Sequence, residues 1–251
     1  MERSARDFEL LARYARELDA DVIALQEVDG PDAARLVFPG YRFCFTARPH
    51  VQNNGFAIRE GIPYRCGQDV TELSLGDTVR RGAELILFPD EPHEIRLLSV
   101  HLKAGCSRDR LSSRNDACRD LARQVAALEA WIDAQASAGR RFAVLGDFNR
   151  DLLGERGPAR DAAGRLLQVW PEIDDGEPPE ADLFNAAEGQ RFRNCTPGQR
   201  FSSYIDHIVL SRSLARAVVP GTFERLTYRP ADAHRARLSD HCPLSIRVRV
   251  R

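Results

Sequence analysis

Phe142-Ala143-Val144-Leu145-Gly146-Asp147-Phe148-Asn149 is the stretch on which the reading of this chain turns. A short apolar run without polar alternation reads as a strand buried on both faces. Gly146 and Asp147 mark where that run leaves the core. Asp147 and Asn149 stand two apart at the exit, so both can face one pocket. Three other fragments carry the same pattern. Ile23-Ala24-Leu25-Gln26-Glu27 ends on a carboxylate, Tyr204-Ile205-Asp206-His207-Ile208-Val209 begins near one, and Leu238-Ser239-Asp240-His241 sets a carboxylate beside an imidazole. Four such ends predict one acidic pocket at the rim of a sheet. Carboxylate oxygens suit hard divalent cations, and such a cation assists attack on a phosphate ester. The fragments therefore predict a metal-dependent phosphoester hydrolase. Each has a bland alternative, because Gly-Asp and Ser-Asp pairs also cap helices and build Asx turns.

Working outward, positions 5–18 keep helical spacing on one face, and Asp19-Ala20-Asp21 breaks it. The run 22–28 reads as a strand, as do 41–46, 55–59, 83–88, 95–101, 142–147, 204–211 and 244–250. The last alternates apolar residues with arginine, the pattern of a half-exposed antiparallel strand. A long helix is predicted over 115–138, with Cys118, Leu121, Val125, Leu128 and Ile132 on its inner face. Positions 151–203 are rich in Gly, Pro and acid, and read as an irregular insertion in a single domain spanning 1–251. Packed sheets with outer helices are the architecture these elements predict.

Composition sets limits on partners. With 251 residues, 43% of them hydrophobic, the chain can bury a substantial core. A net charge of −1 supplies no general basic field to concentrate nucleic acid, so a nuclease would rely on metal and local arginines. No apolar run approaches a membrane span, and the first residues lack a signal-peptide pattern. A monomer is expected. Lys103 is the only lysine among many arginines. The six cysteines have no CxxC pair to suggest zinc; they fit either three disulfides or six buried thiols. If bridged, Cys106 pairs with Cys118 across a short polar loop, Cys44 with Cys66 in neighbouring strand candidates, and Cys195 with Cys242. Disulfides imply an oxidising, extracytoplasmic compartment such as a periplasm or the exterior.

Taken in order, Leu25-Gln26-Glu27, Ser99-Val100-His101-Leu102-Lys103, Gly146-Asp147-Phe148-Asn149, Ile205-Asp206-His207-Ile208 and Ser239-Asp240-His241 resemble the endonuclease/exonuclease/phosphatase superfamily, deoxyribonuclease I-like enzymes included. The resemblance covers nearly the whole chain. It implies a four-layer α/β/β/α sandwich, with two mainly antiparallel sheets flanked by helices and the site at one end. It also implies Glu27 and Asp240 as ligands of Mg²⁺ or Mn²⁺. Asp147 becomes the residue that orients and deprotonates the attacking water, and Asn149 a donor to the charged transition state. His241 is oriented by Asp206 and serves the phosphate oxygens, and His101 contacts phosphate. His207, one position after Asp206, points to the other face of its strand and reads as structural. Lys103, Arg81 within Arg80-Arg81-Gly82, and Asn53 within Gln52-Asn53-Asn54 are the candidates for substrate contact, with a solvated surface as the bland alternative.

Family members begin with a strand that carries a metal-binding Asn, whereas this chain opens directly into the helix at 5–18. The sheet holding Val22–Glu27 is therefore expected to be one strand short, with an exposed edge. The expected activity is a phosphodiesterase acting on nucleic acid. Alternatives are the same chemistry on a phospholipid or inositol phosphate, and a non-catalytic binding module of the same fold. A basic groove bearing aromatic rings within 151–203 favours nucleic acid; an apolar rim favours lipid. The acidic run Glu172 to Glu177 argues mildly against wrapping DNA.

Overall fold

The computed structural model describes residues 3–196, 199 and 201–250. The chain opens with α1 (Ala5–Leu18), whose start is fixed by a capping box. Ser4 Oγ accepts from the Asp7 N–H at 3.3 Å, and the Asp7 carboxylate accepts from the Ser4 N–H at 2.7 Å. Then follow β1 (Val22–Val28), α2 (Pro31–Arg35), β2 (Tyr41–Phe45), β3 (Asn53–Arg59), β4 (Tyr64–Cys66), β5 (Ala83–Leu87) and β6 (Ile95–His101). The long helix α3 (Asp116–Ser137) connects β6 to β7 (Arg141–Asp147). The remainder comprises α4 (Trp170–Ile173), β8 (Leu183–Asn185), β9 (Asp206–Ser211), α5 (Arg212–Ala215), β10 (Glu224–Arg225), α6 (Pro230–Arg235) and β11 (Leu244–Ser245).

Two sheets carry the fold. One has the order β1-β3-β2 and is antiparallel; the other runs β4-β5-β6-β7-β9-β8, with only β6 and β7 parallel. A parallel pair needs a crossover, and α3 supplies it. Side-chain alternation along β6 shows the layering. Ile95 and Leu97 face the other sheet, packing with Phe56, Ile58 and Leu85, while Leu98 and Val100 face α3 through Leu121, Val125 and Leu128. The outer face of the small sheet, with Leu25 and Ala57, is covered by Ala34 of α2 and by Phe38. Helix, sheet, sheet and helix form the four layers expected.

Among the described residues β1 is an edge strand, with β3 as its one neighbour, and β10–β11 form a separate two-stranded ladder. The small sheet thus has the open edge expected beside Val22–Glu27. The C-terminal strand differs from its expected span. Only Leu244–Ser245 pairs with β10, and the alternating tail beyond it makes a single bridge, Val248 with Val218. The 151–203 stretch also holds more structure than its composition suggested. Its Leu152, Val169, Ile173 and Ala181 are fully buried in the core under α3, and β8 completes the large sheet beside β9.

All three expected disulfides are formed. Cα separations are 5.6 Å for Cys44–Cys66, 5.0 Å for Cys106–Cys118 and 5.5 Å for Cys195–Cys242, inside the usual range for a bridge. The last joins the end of the insertion to the residue after His241. Around it Tyr14 of α1 packs with Leu226 and Tyr228, and the Arg237 N–H donates to Asp7 Oδ1 at 2.7 Å. Helix α1 is therefore the buttress of the segment that carries His241.

Candidate active site

The site grows out of strand pairing. β6 and β7 run parallel and β9 runs opposite to β7, so the last residues of the first two and the first of the third lie in one row: His101, Asp147, Asp206. Gly146 permits this row. Its φ is +133°, and a Cβ there would lie 2.1 Å from the Val100 carbonyl oxygen and 2.9 Å from Gln26 Nε2. The second sheet is tied in through Ser99, whose Oγ accepts from Gln26 Nε2 at 2.9 Å and donates to the Leu25 carbonyl at 3.2 Å. That places the end of β1 beside the row. Glu27 has φ +58° where the β1–β3 register slips, and its Oε1 lies 3.8 Å from His101 Nδ1.

His101 Nε2 is 3.5 Å from Asp147 Oδ2. The Asn149 N–H donates to Asp147 Oδ1 at 2.7 Å, and its Nδ2 donates to Asp147 Oδ2 and to the Leu102 carbonyl, both at 3.0 Å. The Asx turn considered as the bland alternative is thus present, and it fixes the Asp147 carboxylate within the row. On the far side, His241 Nδ1 lies 2.8 and 2.9 Å from the two oxygens of Asp206. One ligand atom each from Asp147, Asp206 and His241 fall within 4.8 Å of one another.

This crowding polarises the groups. Burial, helped by the negative charges of Asp206 and Glu27, pushes Asp147 up to about 7, against the opposing pull of His241 and the Asn149 N–H. Burial pushes His241 down, but its hydrogen bond and charge pairing with Asp206 prevail and hold it up at about 9. His101 is forced down to about 3, first by burial and then by the positive charges of Arg80 and His241. It is neutral, so its approach to Glu27 is no ion pair. The site thus combines a carboxylate poised to take a proton, a cationic imidazole and a neutral imidazole. Such groups, with perturbed acidities in one place, are the usual mark of acid–base chemistry.

The sequence profile of the Endonuclease/Exonuclease/phosphatase family matches residues 2–241. This chain belongs to that family. As a member of it, the chain is a phosphoester hydrolase. Among solved structures, it resembles a Neisseria 3′ phosphatase, NExo, bound to product DNA hairpin, with TM-score 0.60, 17% identity, and coverage of 97% of this chain and 96% of that one. It resembles truncated Caenorhabditis elegans TDP2 with TM-score 0.61 and 15% identity over 96% and 89% of the two chains. The Xenopus laevis APE2 catalytic domain gives 0.60 and 17% over 97% and 88%. Against a longer form of C. elegans TDP2, the chain spans 59% of that protein. No curated protein matches this chain.

Within this family member the structure brings Glu27, His101, Asp147, Asn149, Asp206 and His241 together. Asp240 is exposed beside His241 and acts on it through its charge. Three further sequence candidates are engaged by other partners. Arg81 is clamped between Asp77 at 2.7 Å and Asp69 at 3.1 Å, so it builds its own loop. Asn53 is buried and donates to the His50 carbonyl at 2.7 Å while accepting from Thr46 Oγ1 at 3.3 Å, which closes the turn before β3. Lys103 Nζ reaches the neighbouring Ala104 carbonyl at 3.5 Å, in solvent. His207 is structural, as expected. Its Nε2–H donates to the Arg150 carbonyl at 2.9 Å, its Nδ1 accepts from Asn185 at 3.1 Å, and burial holds it neutral at about 4.

Arg80, which the sequence offered only as the neighbour of Arg81, reaches the site. Its Nη2 lies 2.6 Å from Glu27 Oε1 and 3.1 Å from Gln52 Oε1. Arg80 and Arg81 both precede β5 and carry the same charge, but Arg81 pairs within its own loop while Arg80 reaches Glu27 and Gln52, distant in sequence.

Proposed function

We propose that this protein is a divalent-metal-dependent phosphodiesterase that cleaves nucleic acid. The observation that carries the reading is the row His101–Asp147–Asp206 with His241 held on Asp206. Asp147 is the acceptor for the proton of the attacking water, and the Asn149 N–H and amide hold its carboxylate in place. His241 presents its remaining N–H to the phosphate, where a cation offsets the charge that builds on the oxygens. Asp206 fixes the ring and sustains its charge. His101, being neutral, offers a hydrogen bond without adding charge.

The residues present fit a hard cation. Glu27 already draws the Arg80 guanidinium to 2.6 Å, and the negative charge of Glu27 and Asp206 is part of what drives Asp147 upward, so positive charge is favoured at this spot. Glu27 and Asp240 are the residues that would hold Mg²⁺ or Mn²⁺, whose contribution when bound is Lewis-acid stabilisation of the phosphate. Arg80, paired with Glu27 at 2.6 Å, would be free to serve a substrate phosphate if a bound cation took over that carboxylate.

Nucleic acid as substrate is supported by the likeness to a Neisseria 3′ phosphatase bound to product DNA hairpin, by the Phe201 ring beside His241, and by Phe192 behind it with Arg225 stacked over its face. Within the acidic run, Glu172 is buried and paired with Arg160, while Asp175 and Glu177 stay exposed. Three disulfides accord with an extracytoplasmic enzyme, and among the described residues no helix is long and apolar enough to cross a membrane. The test is a panel of plasmid DNA, single-stranded DNA, RNA, sphingomyelin and inositol phosphates, each with Mg²⁺, Mn²⁺ or EDTA. Cleavage of nucleic acid that EDTA abolishes is expected. Turnover confined to the lipid or inositol phosphates would overturn the reading.

A further inference from the structure

Next to the phosphate-handling residues lies a built surface that the proposed chemistry does not use. The Phe201 ring is 5.1 Å from the His241 ring, centroid to centroid, and is only partly buried. Behind it Phe192 sits edge-on at 6.3 Å, and Phe192 in turn meets Tyr204 at 5.2 Å. Arg225 stacks over Phe192 at 4.4 Å and over Tyr204 at 5.6 Å, and its Nε is buried without a hydrogen-bond partner. On the open side Arg108 Nη2 lies 3.3 and 3.5 Å from the hydroxyls of Ser202 and Ser203.

The Phe201 backbone is fixed rather than left to drift. Gln199 donates from Nε2 to the Phe201 carbonyl at 2.8 Å, and its Oε1 accepts from the Cys195 N–H at 2.7 Å. Cys195 is bridged to Cys242, the residue after His241, and both are almost fully buried. The disulfide therefore ties the ring to the histidine through a short, closed path. A ring held this way loses little freedom when a ligand covers it.

We propose that Phe201 is a specificity-determining residue that stacks the unpaired base of a nucleotide adjoining the scissile phosphate, with Arg108 serving a neighbouring phosphate. The inference rests on the nucleic-acid reading above and narrows it to single-stranded or frayed substrates. Flat rings interleaved with guanidinium groups match the alternation of base and phosphate along a strand. A lipid would require an aliphatic rim, and the groups around Phe201 are aromatic and cationic. A base within a duplex has both faces covered, so it can reach Phe201 only when unstacked.

The experiment uses single-stranded oligonucleotides with one cleavable phosphodiester and otherwise uncleavable linkages, either fully base-bearing or with an abasic residue on the 5′ or the 3′ side of that bond. The intact enzyme should show a KM about tenfold lower when the relevant base is present, on the usual scale of base–aromatic stacking. Phe201→Ala should erase that preference by raising KM on the base-bearing strand, and Phe201→Trp should restore it. Phe201→Leu, which keeps apolar bulk beside His241, should also lack the preference while retaining the thermal midpoint. Equal KM values for base-bearing and abasic strands in the intact enzyme would overturn the proposal. So would a Phe201→Ala loss confined to kcat and equal on both strands, which indicates support of His241 alone. Failure to cleave any oligonucleotide, with turnover of another phosphodiester, would instead overturn the nucleic-acid reading.

Discussion

Replacing Arg150 with Met should unfold this protein far more readily than its distance from the phosphate chemistry suggests. Arg150 and Glu155 have side chains only 3% and 6% exposed, and Arg150 Nε meets Glu155 Oε1 at 2.6 Å. Arg150 Nη1 also donates to the carbonyls of Cys106 and Asp109, each at 2.6 Å, and Glu155 accepts from the Val169 N–H at 2.9 Å. The pair thus joins the loop after β7 to the disulfide loop and to the start of α4. Met fills the volume of the Arg stem but leaves a buried carboxylate unpaired. Breaking a buried pair from one side costs about 3–5 kcal/mol. For a chain of this size that corresponds to a fall of about 6–20 °C in the unfolding midpoint. Calorimetry at pH 7.5 under oxidising conditions measures it. Arg150→Met combined with Glu155→Gln keeps an acceptor for the α4 amides, removes the stranded charge, and should recover more than half of the loss. A single-variant cost under about 1 kcal/mol, the range of an exposed pair, would refute the reasoning. Strict additivity in the double variant would refute it as well, since groups in contact should couple.

Two further perturbations probe the frame of the site. Cys195→Ala with Cys242→Ala opens a loop whose ends are 47 residues apart, which on the chain-entropy estimate costs about 4 kcal/mol. Urea unfolding should register that loss, and kcat/KM should fall with it because Cys242 adjoins His241; an unshifted urea midpoint counts against the role given to the bridge. Glu129 on α3 is pushed up to about 8, by burial first and then by Asp133, Asp175 and Glu172. The folded protein therefore binds this proton more tightly than the unfolded chain. Its contribution to stability is full below the ordinary value of 4.5 and is lost as pH rises through about 8. Glu129→Gln should raise the unfolding midpoint relative to the parent more at pH 9 than at pH 5; the same difference at both would show that Glu129 is not titrating as described.

Much of the fold was legible because it follows local rules. Residues 5–18, 22–28 and 95–101 form the elements their periodicity predicted. Asp147 and Asp206 were visible because a carboxylate at the border of an apolar run has few other places to go. What escaped depends on which partner each group finds, near or distant in sequence. The alternation at 246–250 is a strand pattern, but a strand also needs a neighbour, and here it finds one bridge. Asn53 and Arg81 had suitable chemistry, yet a turn and two aspartates engaged them, and neighbouring Arg80 reached Glu27 instead. Phe192, Phe201, Tyr204 and Arg225 carry no shared motif; the Cys195–Cys242 bridge and β10 gather them.

The central claim is that Asp147 takes the proton from the attacking water while the rest of the row holds the phosphate. Steady-state cleavage of a single-stranded oligonucleotide by Asp147→Asn, with Mg²⁺ saturating and folding verified by calorimetry, tests it most directly. The account predicts a kcat at least about 10²-fold below that of the parent, the usual scale for an acid–base group, with KM changing far less because the lost interaction belongs to the transition state. An Asp147→Asn enzyme with undiminished kcat would contradict it.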